Sequence, residues 1–374
     1  MWGSFTSWTV KKHFWQRLLL GFIALILFLI TGMYGIARWY MHKHQNERLT
    51  VGATFIPDYA RYFDLNPKET LTAMLDDLEF KKVRLVSYWS NIEHTRGTYD
   101  FSELDWQMEM AKSRGTRVAL AIGLRQPRWP ECHMPDWAQA EPITEWQPQL
   151  QQFIAAVVER YKDNPALDSY QLENEYFLSV FGECPNFDRD RLVSEYNLVK
   201  GIDPNHTLVV SMSNNAIGTP IGKPTPDEWA ISVYKRVWDK TITQRYFEYP
   251  IPAWYYGFRA GWVELTRGRD SFIHELQTEP WIADPGGGRK DESRTEQDKK
   301  LDAIRRKDRI KYGEATGMRE VDMWGVEWWY WRKVKFNDPS LWNVAKTALK
   351  EANDHNEKLR SEDKLKINTD IIKK

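Results

Sequence analysis

The segment Tyr170-Gln171-Leu172-Glu173-Asn174-Glu175-Tyr176 decides how the rest of the chain is read. Residues Ala166 to Leu172 alternate loosely in the manner of a half-buried strand, which puts Asn174 and Glu175 where that strand leaves its sheet. An isolated glutamate in such a place is ordinarily a solvated loop residue or a helix cap. Here a second cluster, His274-Glu275-Leu276-Gln277-Thr278-Glu279-Pro280-Trp281, closes another short apolar run. Two carboxylates at strand ends suit acid–base and nucleophilic work on one face of a barrel.

Further out, short and nearly all-apolar runs alternate with helical patterns. Val51–Phe55, Lys82–Trp89, Arg117–Gly123, Ala166–Leu172, Thr207–Met212, Trp229–Tyr234, Ser271–Leu276 and Glu320–Val326 are eight predicted strands. Helices are predicted over Pro67–Leu78, Phe101–Ser113 and Gln149–Tyr161. Apolar strands between helices imply a parallel sheet buried on both faces. Eight such units spread over about 300 residues predict an α/β fold, a closed (β/α)8 TIM barrel with insertions. The alternative is an open doubly wound sheet. No glycine-rich dinucleotide fingerprint follows the first strand, however, and Pro285-Gly286-Gly287-Gly288 lacks the Lys-Ser/Thr of a phosphate loop and reads as a flexible turn. Asp291–Tyr312 reads as a solvated outer helix with Leu301, Ile304 and Ile310 at helical spacing, and Asn356–Lys374 as a frayed polar tail.

Leu18 to Ile36 carries no charge and is long enough to cross a hydrocarbon core of about 30 Å. Trp15, Trp39 and Tyr40 stand near its ends as interfacial anchors do. The resulting organisation is an N-terminal flank (1–17), a transmembrane signal-anchor (18–37), a juxtamembrane linker (38–49), a barrel domain (50–353) and a charged tail (354–374). Cleavage after Gly35-Ile36-Ala37 is the alternative, although the apolar stretch is long for a signal peptide. Lys11, Lys12 and Arg17 before the span are matched by Arg38, Lys43 and Arg48 after it, so charge gives no orientation. The 52 Lys and Arg equal the 52 Asp and Glu, leaving no basic excess for a nucleic-acid groove. The 19 Trp exceed what a core alone usually takes, which leaves some of them for stacking on sugar rings.

Several of these segments resemble one family of enzymes. Gln171-Leu172-Glu173-Asn174-Glu175-Tyr176 resembles the acid/base strand of the retaining glycoside hydrolases of clan A, especially β-galactosidase families 35 and 42 and related family 5-like enzymes. Val83 to Asp105 is similar to their second strand and the segment after it, Leu124 to Pro130 to their loop after strand three, and Glu275 to Trp281 to their nucleophile strand. The likeness runs from Thr50 to near Asn353. The large β-sandwich or trimer-forming domains of those β-galactosidases find no counterpart in this span, so the sugar does not carry over.

The resemblance implies Glu175 as general acid/base, Asn174 as partner of the sugar 2-hydroxyl and Arg84 as positioner of the nucleophile. It points to Glu275 as that nucleophile; Glu279, of the same strand parity but farther out, is the other candidate and otherwise a substrate ligand. Tyr234 is implied to hydrogen-bond the nucleophile, and Trp324 or Trp328 to stack on sugar. No cofactor or metal is expected: His133, His206 and His274 lie on separate segments, and no H-E-x-x-H or cysteine cluster exists. The expected activity is that of a membrane-anchored retaining glycosidase acting on an oligo- or polysaccharide outside the cytoplasmic membrane, held to the lipid bilayer through Leu18 to Ile36. The alternative is a noncatalytic membrane-tethered glycan-binding barrel, which would not need both carboxylates. Cys132 and Cys184 follow strands three and four, whose loops rise on one barrel face, and are expected to pair as a disulfide.

Overall fold

The computed structural model describes residues 3–214, 218–239, 243–281 and 289–372, with side chains between 14 and 362. Pro285-Gly286-Gly287-Gly288 lies outside these residues. The chain opens with α1 (Gly3–His44), β1 (Thr50–Thr54), α2 (Pro57–Tyr62), α3 (Pro67–Asp76), β2 (Lys82–Val86), α4 (Trp89–Ile92) and α5 (Ser102–Ser113). Next come β3 (Arg117–Ile122), α6 (Asp136–Gln139), α7 (Ile143–Tyr161), β4 (Leu167–Leu172), α8 (Arg189–Ile202), β5 (Thr207–Met212) and β6 (Glu228–Val233). The remainder is β7 (Arg236–Asp239), β8 (Arg245–Glu248), α9 (Ala253–Arg267), β9 (Asp270–Gln277), α10 (Arg294–Lys300), α11 (Ala303–Glu314), β10 (Glu320–Trp324), α12 (Val326–Lys335) and α13 (Ser340–Ile372).

Eight strands close into one parallel barrel in the order β1-β10-β9-β6-β5-β4-β3-β2, the TIM-barrel architecture. Apolar alternation drives the closure. Val83, Leu85, Val118, Leu120, Leu208, Val210, Ile231 and Ile273 are buried, and helices such as α7 cover them with Leu150, Phe153, Ile154, Val157 and Val158. The inward side chains are largely polar. At the N-terminal end Lys82 pairs with Asp322 at 3.0 Å and with Glu320, all three at the barrel base. Gly52 leaves room there, because a Cβ on it would lie 2.2 Å from Asp322 Oδ1.

Several expectations are corrected. Helix α7 begins at Ile143 rather than Gln149 and contains Pro148, whose exposed position leaves the unpaired Thr144 carbonyl to water. Asp291–Tyr312 is not one solvated helix: it breaks at Leu301, where Asp302 caps α11, and Leu301, Arg306 and Ile310 are buried while Ile304 is exposed. The antiparallel hairpin β7–β8 was not read from the sequence. The segment from Asn356, read as frayed, continues α13 to Ile372.

The juxtamembrane residues 38–44, read as linker, are helical and packed. Phe14–His44 within α1 is long and apolar enough to cross a membrane, and its apolar window is uncovered by the rest of the protein. Past the apolar run, Ala37, Tyr40 and His44 are buried against α9. The two backbones approach so closely that a Cβ on Gly261 would lie 3.0 Å from both Ile36 Cγ2 and Tyr40 Cβ. His44 Nε2 reaches Glu264 Oε2 at 2.9 Å, and Lys43 binds the other oxygen. Helix α1 is therefore continuous from its apolar run into the residues that pack on α9.

Candidate active site

Strand β4 stops at Leu172, and the next three side chains diverge because Glu173 (φ 53°) and Glu175 (φ 44°) take left-handed backbone. Glu173 turns inward under the loop after β3. Its carboxylate accepts from the amides of Leu124 at 2.7 Å and Arg125 at 3.0 Å and from Arg191 Nη1 at 3.1 Å. Gly123, at φ 103°, is required there, since a Cβ would meet Glu173 Oε1 at 2.5 Å. Glu173 is thus a structural pin, and Asn174 and Glu175 line the pocket.

Glu275 stands at the end of β9, beside a register shift against β6: Ile231 pairs with Ile273, but Ser232 pairs with Glu275. The extra residue, His274, makes a bulge, and bulges re-aim side chains. As a result His274 and Glu275 both face Arg84. Arg84 Nη2 donates to Glu275 Oε1 at 2.8 Å, and Tyr234 OH donates to Oε2 at 2.9 Å. Arg84 is itself held by Thr54 Oγ1 (2.9 Å), Gln171 Oε1 (2.8 Å) and His274 Nδ1 (2.6 Å). Both oxygens of this buried carboxylate receive donors, one of them cationic.

Arg84 has only donors, so His274 Nδ1 accepts and Nε2 carries the proton. That proton faces Ser232 Oγ at 3.0 Å, and Ser232 in turn donates to Glu175 Oε1. Burial first, and then Arg84 and Lys82, hold His274 well below the usual histidine range, which keeps it neutral. Glu175 is pushed up to about 8, chiefly by burial and then by the charge of Glu275, against the opposing hydrogen bond from Ser232. The two carboxylates therefore sit in opposite environments, linked through Arg84, His274 and Ser232.

Asn174 Oδ1 accepts from Gln171 Nε2 at 2.9 Å, while its Nδ2 donates to Glu131 Oε2 at 3.1 Å. Burial raises Glu131 to about 7, with Arg125 opposing and Glu275 adding to the rise. Glu279 also lines the pocket, but its carboxylate is occupied by Arg289 (2.6 Å), Arg128 (3.2 Å) and Tyr59 OH (3.1 Å). Burial pushes Glu279 up, yet the two guanidiniums outweigh it and the group lies below the usual range. Trp324 lines the pocket, with the Arg128 guanidinium 4.6 Å from its ring centroid.

Trp328 does not reach the pocket. It lies on the buried face of α12, donating to Gln297 Oε1 at 2.8 Å, because its helical position turns it from the barrel mouth. The pocket is a cleft of about 480 Å3 whose walls include Trp129, Trp281 and, from the hairpin, Trp238 and Phe247. Cys132 and Cys184 are joined, with Cα atoms 5.2 Å apart, and tie the loop after β3 to the loop after β4. Ser232 could have been found from sequence, since it is two residues before Tyr234 and so shares its strand face. Glu131, Trp281 and the role of His274 carried no such signal.

Residues 62–191 match the sequence profile of glycoside hydrolase family 42, β-galactosidase. Through that stretch the chain is similar to the β-galactosidases of that family. A β-galactosidase of Haloferax lucentense is 25% identical over 146 residues, which is 34% of this chain and 22% of that protein. The chain thus aligns with about a fifth of the curated relative it matches. Among solved structures, GH5_18 from Bifidobacterium longum subsp. longum superposes with a TM-score of 0.53 at 11% identity, over 74% of this chain and 70% of that one. An exo-β-1,4-mannosidase from an Opitutaceae bacterium gives 0.51 at 14% identity, over 82% of this chain and 60% of that one. These two likenesses concern the barrel fold.

Proposed function

We propose that this protein is a membrane-anchored retaining glycoside hydrolase that cleaves β-glycosidic bonds. The observation that supports it is the opposition of Glu175 and Glu275 in one pocket, one carboxyl raised to about 8 and the other receiving Arg84 and Tyr234. Glu275 attacks the anomeric carbon while protonated Glu175 gives its proton to the leaving oxygen, and a glycosyl ester on Glu275 forms. Glu175, now ionised, takes a proton from water, which attacks the same carbon and releases Glu275. Asn174 meets the sugar 2-hydroxyl, Trp324 and Trp281 present ring faces to the sugar, and Glu279 binds a hydroxyl rather than attacking, since Arg128 and Arg289 already neutralise it. A noncatalytic glycan-binding barrel would not need the polarised pair.

In this reading Leu18 to Ile36 crosses the cytoplasmic membrane and the barrel lies outside it, where polymeric glycans are met and the Cys132–Cys184 bond persists. The test is release of the aryl group from a panel of aryl β-glycosides by full-length protein in detergent, with the anomer of the first-formed sugar followed by NMR. Retained configuration is expected; inversion, or no turnover of any member by a protein that binds glycans, would sink the reading. Protease added to intact cells should digest the domain beyond Arg48, and full protection would reverse the topology.

A further inference from the structure

Helix α9 descends the outside of the barrel from its mouth to its base. Tyr249 lines the pocket, and only Pro250, Ile251 and Pro252 separate it from Ala253, the first residue of α9. At the other end Gly268 caps the helix and hands the chain to Asp270, which opens β9 and pairs with Glu228, the first residue of β6. Since β9 then climbs to Glu275 in the pocket, α9 runs against the strands. Helix α1 runs alongside α9 in the same direction. The Tyr34 ring stands edge-on to Trp254 at 5.5 Å, near the start of α9, whereas Lys43 and His44 bind Glu264, near its end. The His44 carbonyl also accepts from Arg319 Nε at 2.7 Å, the residue before β10, which fixes the end of α1 at the base.

Followed back toward its N-terminus, α1 therefore passes the mouth of the barrel and continues beyond it. The uncharged run Leu18 to Ile36 projects from the catalytic side of the domain, not from its base. With that run in the hydrocarbon layer, the membrane surface falls at Tyr34 and Trp254, the level at which α9 leaves the pocket. Two loops at the mouth hold apolar side chains outward: Val180, after β4, is 90% exposed, and Phe247, in the hairpin after β6, is 38% exposed. The same two segments line the pocket with Leu178, Phe181 and Trp238. Glu175 begins the first of them, so a leaving group that takes its proton departs along this apolar wall. The charged residues of the pocket, Arg128, Glu279 and Arg289, follow β3 and β9 instead and are paired with one another.

We infer that the mouth of the barrel faces the bilayer that α1 spans, and that the substrate is the β-glycoside of a lipid alcohol held in that bilayer. The inference rests on the reading of α1 as a transmembrane helix and of Glu175 as the acid. The sugar lies between Glu275 and the ring faces of Trp281 and Trp324, and the lipid part passes over Val180 and Phe247 toward the membrane. In the first step the bond from the anomeric carbon to the lipid oxygen breaks and a bond from that carbon to Glu275 forms, while the lipid alcohol departs with the proton of Glu175. Water then releases the sugar and returns a proton to Glu175. A soluble polysaccharide has to enter the gap between mouth and headgroups, whereas a glycolipid already stands in it.

The test uses full-length protein in phosphatidylcholine nanodiscs and has two readouts. For orientation, one fluorophore is placed through Val180→Cys, Lys81→Cys or Leu25→Cys; both native cysteines are tied in the disulfide, so the introduced thiol alone reacts. Lys81 is exposed and precedes β2 at the base. Roughly 20 Å separates the two ends of a tilted barrel of such strands, so energy transfer to a headgroup-labelled lipid should be about twofold or more greater at 180 than at 81. Equal transfer, or more at 81, would overturn the orientation and the inference with it. A label at 25 that a deep-acyl nitroxide does not quench would remove the anchor and the inference together. For substrate, the sugar accepted in the aryl panel is supplied as its hexadecyl β-glycoside in the nanodisc and as its soluble methyl β-glycoside. The kcat/KM for the hexadecyl form should be higher on the order of tenfold or more, since enzyme and substrate share one surface. Equal rates, or a preference for the methyl form, would overturn the lipid assignment. Turnover of no glycoside, with transfer still greater at 180, would sink the hydrolase reading and the substrate while the orientation stood.

Discussion

The hydroxyl of Ser232 donates to Oε1 of Glu175 and on its other side faces the Nε2 proton of His274 at 3.0 Å. A donor to a carboxylate stabilises its ionised form, so Ser232 holds Glu175 lower than burial and the charge of Glu275 alone would. General-acid action needs Glu175 protonated, and the rate should therefore fall as pH rises through about 8. Ser232→Ala removes the donor and should move that alkaline limb to higher pH, by on the order of one unit for a hydrogen bond to a charged group. The measurement is kcat/KM against pH. An alkaline limb that stays in place or moves down would separate Ser232 from the proton of Glu175.

Arg84 gives donors to Thr54, Gln171, His274 and Glu275 at once, which a lysine cannot reproduce. Arg84→Lys should lower kcat on the order of 100-fold or more, the usual scale for losing a charge-stabilising donor, with a smaller effect on KM. A variant changed only in KM would make Arg84 a substrate ligand.

Glu175→Ala and Glu275→Ala should each lose most activity, on the order of 100-fold or more, but differ in repair by azide. With an activated β-glycoside, azide entering the space of Glu175 attacks the glycosyl ester and gives the β-azide. Azide in place of Glu275 attacks directly and gives the α-azide. An activated 2-deoxy-2-fluoro glycoside should trap an ester on Glu275, located by peptide mass spectrometry; an ester on Glu279 would exchange their roles.

The Cys132–Cys184 bond closes a loop with a sequence separation of 52 and braces the segments bearing Glu131 and Glu175. By chain entropy such a closure stabilises the fold by roughly 4 kcal/mol, less any strain. The double Ser variant should unfold at lower denaturant concentration, with a steeper slope because its unfolded chain exposes more surface. Thiol labelling of denatured, unreduced wild type should find no reactive thiol; finding two would refute the bridge.

Much of the barrel was legible because its cause is local. Runs such as Val118 to Ile122 are apolar on both faces, which only a strand buried between two layers tolerates, and their alternation with helices leaves few topologies. The same holds for Leu18 to Ile36, whose uncharged length is a property of contiguous residues. Helix ends were less legible: Pro148 stands inside α7 because it and Thr144, one turn before it, are exposed to water, which no local rule announces.

The pocket divides in the same way. Glu175 and Glu275 sit at or near strand ends and were legible as a pair, whereas Asn174, Arg84 and Tyr234 were named through the family resemblance. That Glu173 pins a loop, that His274 joins Arg84 to Ser232, and that Trp328 lies under α12 depend on backbone dihedrals and a bulge set by strand pairing. Whether residues 38–44 are linker or packed helix was likewise decided only in three dimensions. Gly261 lies more than 200 positions from the helix it admits, and such fit between distant surfaces leaves no periodic trace in sequence. Local composition determines which elements form, whereas side-chain volume and hydrogen-bond valence across the closed barrel decide what they face.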